Sequence, residues 1–173
     1  MKKNDKISPN KEVISEAVPY LIIILVVIII RTFIATPIKV NGPSMETTLY
    51  DGNLMILNKL GAKVNGLNRF DIVVVKTSKT YIIKRIIGLP GESVAYIDGK
   101  LYINEKVVED KYALSNMEDF EEVKLSDDEY FVMGDNRKVS QDSRAIGPVK
   151  KSQILGKTNI IIYPFNKFGI VKD

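Results

Sequence analysis

One stretch constrains the whole chain: from Ala17 to Ile30 the residues are apolar throughout, and after Arg31 the pattern resumes with Phe33, Ile34 and Ala35, so residues 17–36 form a span of about twenty. That length crosses a hydrocarbon core of roughly 30 Å as a helix. Pro19 falls where a first helical turn tolerates it, and Arg31 is near enough to the far end to snorkel to the interface. Lys2, Lys3, Lys6 and Lys11 precede the span, whereas only Lys39 follows closely. The positive-inside rule therefore predicts a cytoplasmic N-terminus, residues 1–16, with the chain from residue 37 onward outside. A buried core helix or a cleavable signal peptide are the other readings of such a run. No A-x-A precedes a cut in Phe33-Ile34-Ala35-Thr36-Pro37, which favours a retained anchor.

With 173 residues the chain has room for one cored domain besides this segment. Its net charge of +4 suits an anionic membrane surface and gives no reason to invoke nucleic acid. The missing residue types exclude more. With no histidine and no cysteine, a Ser-His-Asp triad, a thiol nucleophile and the usual zinc sites are all ruled out. Hydrolytic chemistry here must use Ser, Thr, Lys, Tyr or carboxylates, and no cofactor is expected.

Beyond Pro37 short β-branched runs alternate with turns, at residues 53–58, 71–76, 81–87, 93–97, 100–103, 129–133 and 158–163. This spacing predicts a mainly β protein, an N-terminal transmembrane helix followed by an antiparallel β-sheet domain over residues 37–173. Asp98-Gly99 reads as a two-residue hairpin turn, and Gly88-Leu89-Pro90-Gly91 ends the preceding strand. The acidic stretch 115–129 reads as a solvated loop or short helix.

Three segments could carry chemistry. Ser44 follows a Gly42-Pro43 bend just beyond the span, where a hydroxyl can be exposed and its own N–H left free for an oxyanion; it also fits an ordinary surface turn. Lys84 and Arg85 interrupt an apolar strand and alternate to opposite faces. A lysine buried there would have a lowered pKa and serve as a base, while edge-strand charges that prevent aggregation would look the same. The third is the polar loop 134–144 after the strand 129–133.

Taken together, Gly-Pro-Ser44-Met45-Glu-Thr-Thr-Leu49, the strand Arg69-Phe-Asp71-Ile-Val-Val, Lys84-Arg85-Ile-Ile-Gly88-Leu-Pro-Gly91-Glu and the Gly-Asp-Asn-Arg loop ending in Asp142-Ser143-Arg144 closely resemble the bacterial type I signal peptidases. These are membrane-anchored Ser-Lys proteases that remove signal peptides from exported preproteins. The resemblance implies Ser44 as nucleophile and Lys84 as general base. It implies Ser140 as the residue orienting the lysine, with Arg85, Asp135, Asp142 and Arg144 as structural support. It places Ile38, Val40, Met45, Leu49, Ile82 and Ile83 in the substrate pocket, which would take small residues at −3 and −1 before the cut. Signal peptides and the cell membrane are the implied partners. Gly42 stands where some members carry a second hydroxyl, which would leave the oxyanion hole resting mainly on the Ser44 N–H.

Two positions depart from the family pattern. Thr47 replaces a common proline, which would loosen the turn behind Ser44, and Val139 stands where polar residues are frequent. Two rival readings are weaker. A self-cleaving repressor with a related Ser-Lys pair should carry a DNA-binding helical domain where this chain has its span. A non-catalytic anchored β module that binds exported chains or envelope partners would not need Ser44, Lys84 and Ser140 together. Ser8-Pro9-Asn10-Lys11 spells S-x-x-K, but it stands before the span without supporting motifs.

Overall fold

The computed structural model describes residues 9–114 and 117–171. Helix α1 (Pro9–Ile29) continues through one π-helical turn, Ile30–Ile34. Its stretch Ile14–Ile34 is long and apolar enough to cross a membrane, and none of it is buried against the protein. The span thus ends two residues sooner than the hydropathy pattern suggests, because Ala35 and Thr36 already belong to strand β1 (Ala35–Lys39). The carbonyls left over at the helix end find donors: Thr36 Oγ1 donates to Arg31 O at 2.7 Å, and Lys59 Nζ to Arg31 O and Thr32 O at 3.1 Å each.

After β1 come β2 (Leu54–Asn58), the short helix α2 (Lys59–Val64), β3 (Ile72–Lys76), β4 (Tyr81–Gly88), β5 (Ser93–Ile97), β6 (Lys100–Ile103), β7 (Lys106–Val108), β8 (Phe120–Lys124) and β9 (Glu129–Met133). The chain closes with α3 (Ser143–Ile146), β10 (Val149–Lys150), β11 (Ile154–Tyr163) and β12 (Gly169–Ile170). The larger sheet runs β1-β2-β11-β3-β4-β9-β10, with β12 added on β11, and the smaller runs β7-β6-β5-β8. Every pairing is antiparallel, as the alternating pattern implied.

Strand β9 shows why apolar runs dominate this sequence. Tyr130 and Val132 pack into one core cluster, Phe131 and Met133 into another, so both faces of the sheet are covered. Strand β4 is flanked in the same way, with Ile86 in one cluster and Ile87 in the other. A third cluster, Val40, Met45, Leu49, Met55, Ile72 and Ile161, holds the segment that follows β1 against the sheet.

The Asp98-Gly99 hairpin forms with φ near 50° and 73°, the left-handed pair that a type I′ turn requires. The acidic stretch expected as loop or short helix instead contains β8, whose Lys124, Val123 and Phe120 face Ser93, Val94 and Tyr96 of β5. A register shift between Val94 and Tyr96 breaks the alternation, which hid the strand from a period-two reading. Exposed Glu121 and Glu122 suit an edge strand that must not pair with another chain.

Candidate active site

Ser44 stands in the turn that leaves β1. The turn is closed at its base by Val40 N–H on Asn53 O (2.8 Å) and Gly52 N–H on Val40 O (3.0 Å). Gly42 takes φ of 83°, which favours glycine, and donates its N–H to Asp51 Oδ1 at 2.8 Å. Met45 and Leu49, both fully buried, pin the next turn into the core. Glu46 N–H reaches Pro43 O at 3.1 Å and Leu49 N–H reaches Met45 O at 2.8 Å, so Thr47 lies exposed in a segment held on both sides.

Strand β4 brings up Lys84, opposite Val73 of β3, and Arg85, opposite Ile72. Alternation sends them to opposite faces, and since both faces are covered, both side chains are buried, at 3% and 2% exposure. Lys84 Nζ lies 2.7 Å from Ser44 Oγ, across 40 positions of sequence. Removal from water pushes the Lys84 amine down from 10.5 to about 8; Asp142 draws it back up, Arg144 lowers it further and Asp135 raises it slightly. An amine held there is a hydrogen-bond donor when charged and a base for the same hydroxyl when neutral.

Arg85 supports the turn from the other face. Its Nε and Nη2 donate to Asp135 Oδ1 and Oδ2 at 2.8 and 2.7 Å, its Nη1 donates to Phe70 O at 2.8 Å, and the Tyr112 ring covers the guanidinium at 3.6 Å. Thr48 Oγ1 donates to Asp135 Oδ2 at 2.5 Å and accepts from Arg85 Nη2 at 3.2 Å. The ion pair is thereby tied to the serine turn.

The loop 134–144 closes the remaining side. Asn136 N–H donates to Ser44 O at 3.1 Å. A Cβ at Gly134 would fall 2.3 Å from Ser44 O and 2.3 Å from Ser140 Oγ, so only glycine lets the loop come this near. The Ser140 hydroxyl accepts from Gly134 N–H at 3.1 Å and donates to the Asp142 carboxylate. These bonds differ from the direct contact with Lys84 expected of a lysine-orienting residue. Asp142 also accepts from Gly134 N–H at 3.0 Å and from Arg144 Nε and Nη2 at 2.8 Å each. Burial alone would raise its pKa, but the bonds from Arg144, Ser140 and Gly134 outweigh that and hold it low.

A cleft of about 90 Å³ opens beside Ser44 and Lys84, lined by Val40, Met45, Ile82 and Ile83 with Lys39 and Tyr81 at its rim. Of the six pocket residues expected, these four reach it. Leu49 is sealed in the core instead, and Ile38 packs against the same cluster from β1. A larger cleft of about 500 Å³ lies beyond Ser140 and Arg144, but the Ser44–Lys84 pair opens into the smaller one. Among the described residues no cluster of acidic side chains could hold a metal ion.

Sequence reading did not single out Thr48, Tyr112, Asp110 or Arg137. Arg137 is buried, ion-paired with Asp110, and donates through Nε to Gly134 O at 2.8 Å, which braces the loop under Ser44. Its place in the Gly-Asp-Asn-Arg run was the available signal; Asp110 and Tyr112, in a polar stretch, gave none.

Residues 13–163 match the family model described as signal peptidase, peptidase S26. The chain is 36% identical over 178 residues to Signal peptidase I S of Bacillus subtilis (strain 168), covering 95% of this chain and 97% of that one. It is 39% identical over 165 residues to Signal peptidase I T of the same organism, covering 87% and 86%. A crystal structure of a signal peptidase I from Enterococcus faecalis V583 is similar at a TM-score of 0.48, with 34% identity over 53% of this chain and 95% of that one.

Proposed function

Because the chain belongs to the signal peptidase family, peptidase S26, we propose that it removes signal peptides from exported preproteins by acyl transfer through a Ser44–Lys84 dyad. The observation that carries this reading is the 2.7 Å contact between Lys84 Nζ and Ser44 Oγ, made by a buried amine whose pKa is lowered to about 8. With that pKa about a tenth of the enzyme holds a neutral amine at pH 7, and a docked substrate would exclude more water and enlarge the share.

Neutral Lys84 takes the Ser44 proton as Oγ attacks the scissile carbonyl. The developing oxyanion sits at the Ser44 N–H, in a turn whose carbonyl is held by Asn136 and whose flank is held by Thr48, Asp135 and Arg85. The ammonium returns its proton to the leaving amine, and the free lysine then activates the water that releases the acyl-enzyme. Ser140 acts one step removed, by orienting the Asp142 carboxylate that bears on the Lys84 charge.

The substrate enters as an extended strand. Strand β9 pairs with β4 only from Arg85 onward, so among the described strands residues 81–84 have no partner on that side, and the cleft runs between them and the end of β1. Its small volume and apolar walls favour alanine-sized side chains at −1 and −3. The anchor keeps its N-terminal lysines in the cytoplasm and the β domain outside. Protease added to intact cells should then digest the domain, and its full protection would mean the reverse orientation.

The experiment that tests the reading is preprotein cleavage by the intact chain and by Ser44→Ala. Cleavage by the first alone is expected; equal cleavage by both would remove Ser44 from the mechanism.

A further inference from the structure

The connection between β7 and β8 belongs to the smaller sheet by its ends and to the serine turn by its contacts. Over residues 110–114 it reaches three groups on which the turn depends. The Asp110 carboxylate pairs with both terminal nitrogens of Arg137, Oδ1 standing 3.0 Å from Nη2. The Tyr112 ring lies 3.6 Å from the Arg85 guanidinium and tilts against the Phe70 ring at 5.2 Å. Leu114 N–H donates to Asp135 O at 3.0 Å. Further on, the connection is fastened to the smaller sheet itself. Met117 is buried in one cluster with Val94, Tyr96 and Leu101, and Asp119 accepts the Asp98 and Gly99 N–H groups at 2.9 and 3.3 Å.

Arg137 carries the effect inward. Its buried Nε holds Gly134 O at 2.8 Å, while Gly134 N–H is held by Ser140 Oγ and Asp142 Oδ2 at 3.1 and 3.0 Å. A guanidinium cannot shed its charge, so without Asp110 it would turn toward water and give up its bond to Gly134. The next carbonyl, Asp135 O, accepts from Arg137 N–H at 3.1 Å as well as from Leu114, and the Asp135 carboxylate grips Arg85 and Thr48.

We propose that this connection is a strap through which the smaller sheet positions the catalytic loop, with Asp110 and Tyr112 as its positioning residues. The inference rests on the Ser44–Lys84 reading and adds to it two residues that touch neither reacting atom. Asp110 fixes the loop that carries Asn136 to the Ser44 carbonyl and Ser140 to Asp142. Tyr112 covers the face of an arginine that Asp135, Thr48 and Phe70 O engage only along its edge, which stops the guanidinium from tilting. Displacing a reacting group by about 1 Å costs on the order of a hundredfold in rate. No strap residue lines the cleft beside Ser44, so the strap acts on kcat and leaves KM alone.

The test measures initial cleavage rates against preprotein concentration for the full-length protein in detergent, beside unfolding by denaturant, with Ser44→Ala as the control for the dyad. Asp110→Ala and Tyr112→Leu should each lower kcat by about tenfold or more with KM little changed. Tyr112→Phe keeps the ring and should retain more of kcat than Tyr112→Leu. Because Asp110→Ala leaves a buried charge unpaired and weakens the fold, it is compared with the double variant Asp110→Ala/Arg137→Met. Removing the orphaned charge should restore stability while kcat stays low, since Gly134 O is still unheld. Recovery of kcat together with stability would overturn the strap, as would a natural kcat in either single variant or a rise in KM alone. Those failures beside an inactive Ser44→Ala leave the dyad standing, whereas cleavage by Ser44→Ala removes the dyad and the strap with it.

Discussion

Arg85 and Asp135 form a two-pronged ion pair, Nε to Oδ1 at 2.8 Å and Nη2 to Oδ2 at 2.7 Å, with both side chains all but sealed from water. Removing one member leaves the other charge buried and unpaired, which costs about 3–5 kcal/mol. Arg85→Ala and Asp135→Ala should each lose that much in denaturant unfolding. Arg85→Lys should recover only part of it, because an ammonium cannot reproduce the fork. Losses under about 1 kcal/mol would mean that the pair does not hold the serine turn.

Lys84 acts on stability with the opposite sign. The folded protein lowers its pKa from 10.5 to about 8, so below pH 8 the folded state carries a charge that the unfolded chain would hold more comfortably. At about 1.4 kcal/mol per unit, the ceiling on this penalty is about 3.5 kcal/mol. It is relieved as pH rises from 8 toward 10.5, since over that range the unfolded chain binds the extra proton. Lys84→Met should therefore unfold at higher denaturant than the natural chain at pH 7, with an advantage that shrinks in this alkaline window, while cleavage is lost. A Lys84→Met protein less stable at pH 7 would contradict the reading of Lys84 as a strained, buried base.

These opposed contributions explain what could be read from the sequence. Strands 93–97, 100–103 and 129–133 were legible because β-branched runs ended at turn residues with a physical reason to turn, Asp98-Gly99 above all. Strand β8 was not, because its register shift and surface glutamates mimic a loop. Lys84 and Arg85 were visible as charges in an apolar strand, but alternation left open whether either was buried; only the covering of both β4 faces decides it. Thr48 and Tyr112 act through contacts 87 and more than twenty positions away, distances that local pattern does not encode.

In the proposed mechanism Ser140 acts as a positioning residue. Its hydroxyl joins Gly134 N–H to the Asp142 carboxylate, whose charge raises the Lys84 pKa. Ser140→Ala should lower kcat by about tenfold or more, the scale of one hydrogen bond to a charged group, and should also displace the pH midpoint of kcat/KM. A rate loss with an unmoved midpoint would assign Ser140 to packing of the loop alone.

The cleft between Met45 and Ile82–Ile83 sets a size limit. Preproteins with alanine at −1 and −3 should be cut, and a bulky or charged residue at −1 should lower kcat/KM by about 10–200-fold, or about 1–3 kcal/mol. Equal rates for alanine and leucine at −1 would reject this cleft as the specificity pocket.

The central claim is that Lys84 is the base for Ser44, and the pH dependence of kcat/KM on a preprotein tests it most directly. The chain has no histidine, and among the described residues the one amine hydrogen-bonded to Ser44 Oγ is that of Lys84, pushed down to about 8 by burial. With chemistry rate-limiting, kcat/KM should climb through mildly alkaline pH with unit slope and level off above about 8. A profile flat from pH 6 to 9, or already level by pH 7, would contradict the dyad.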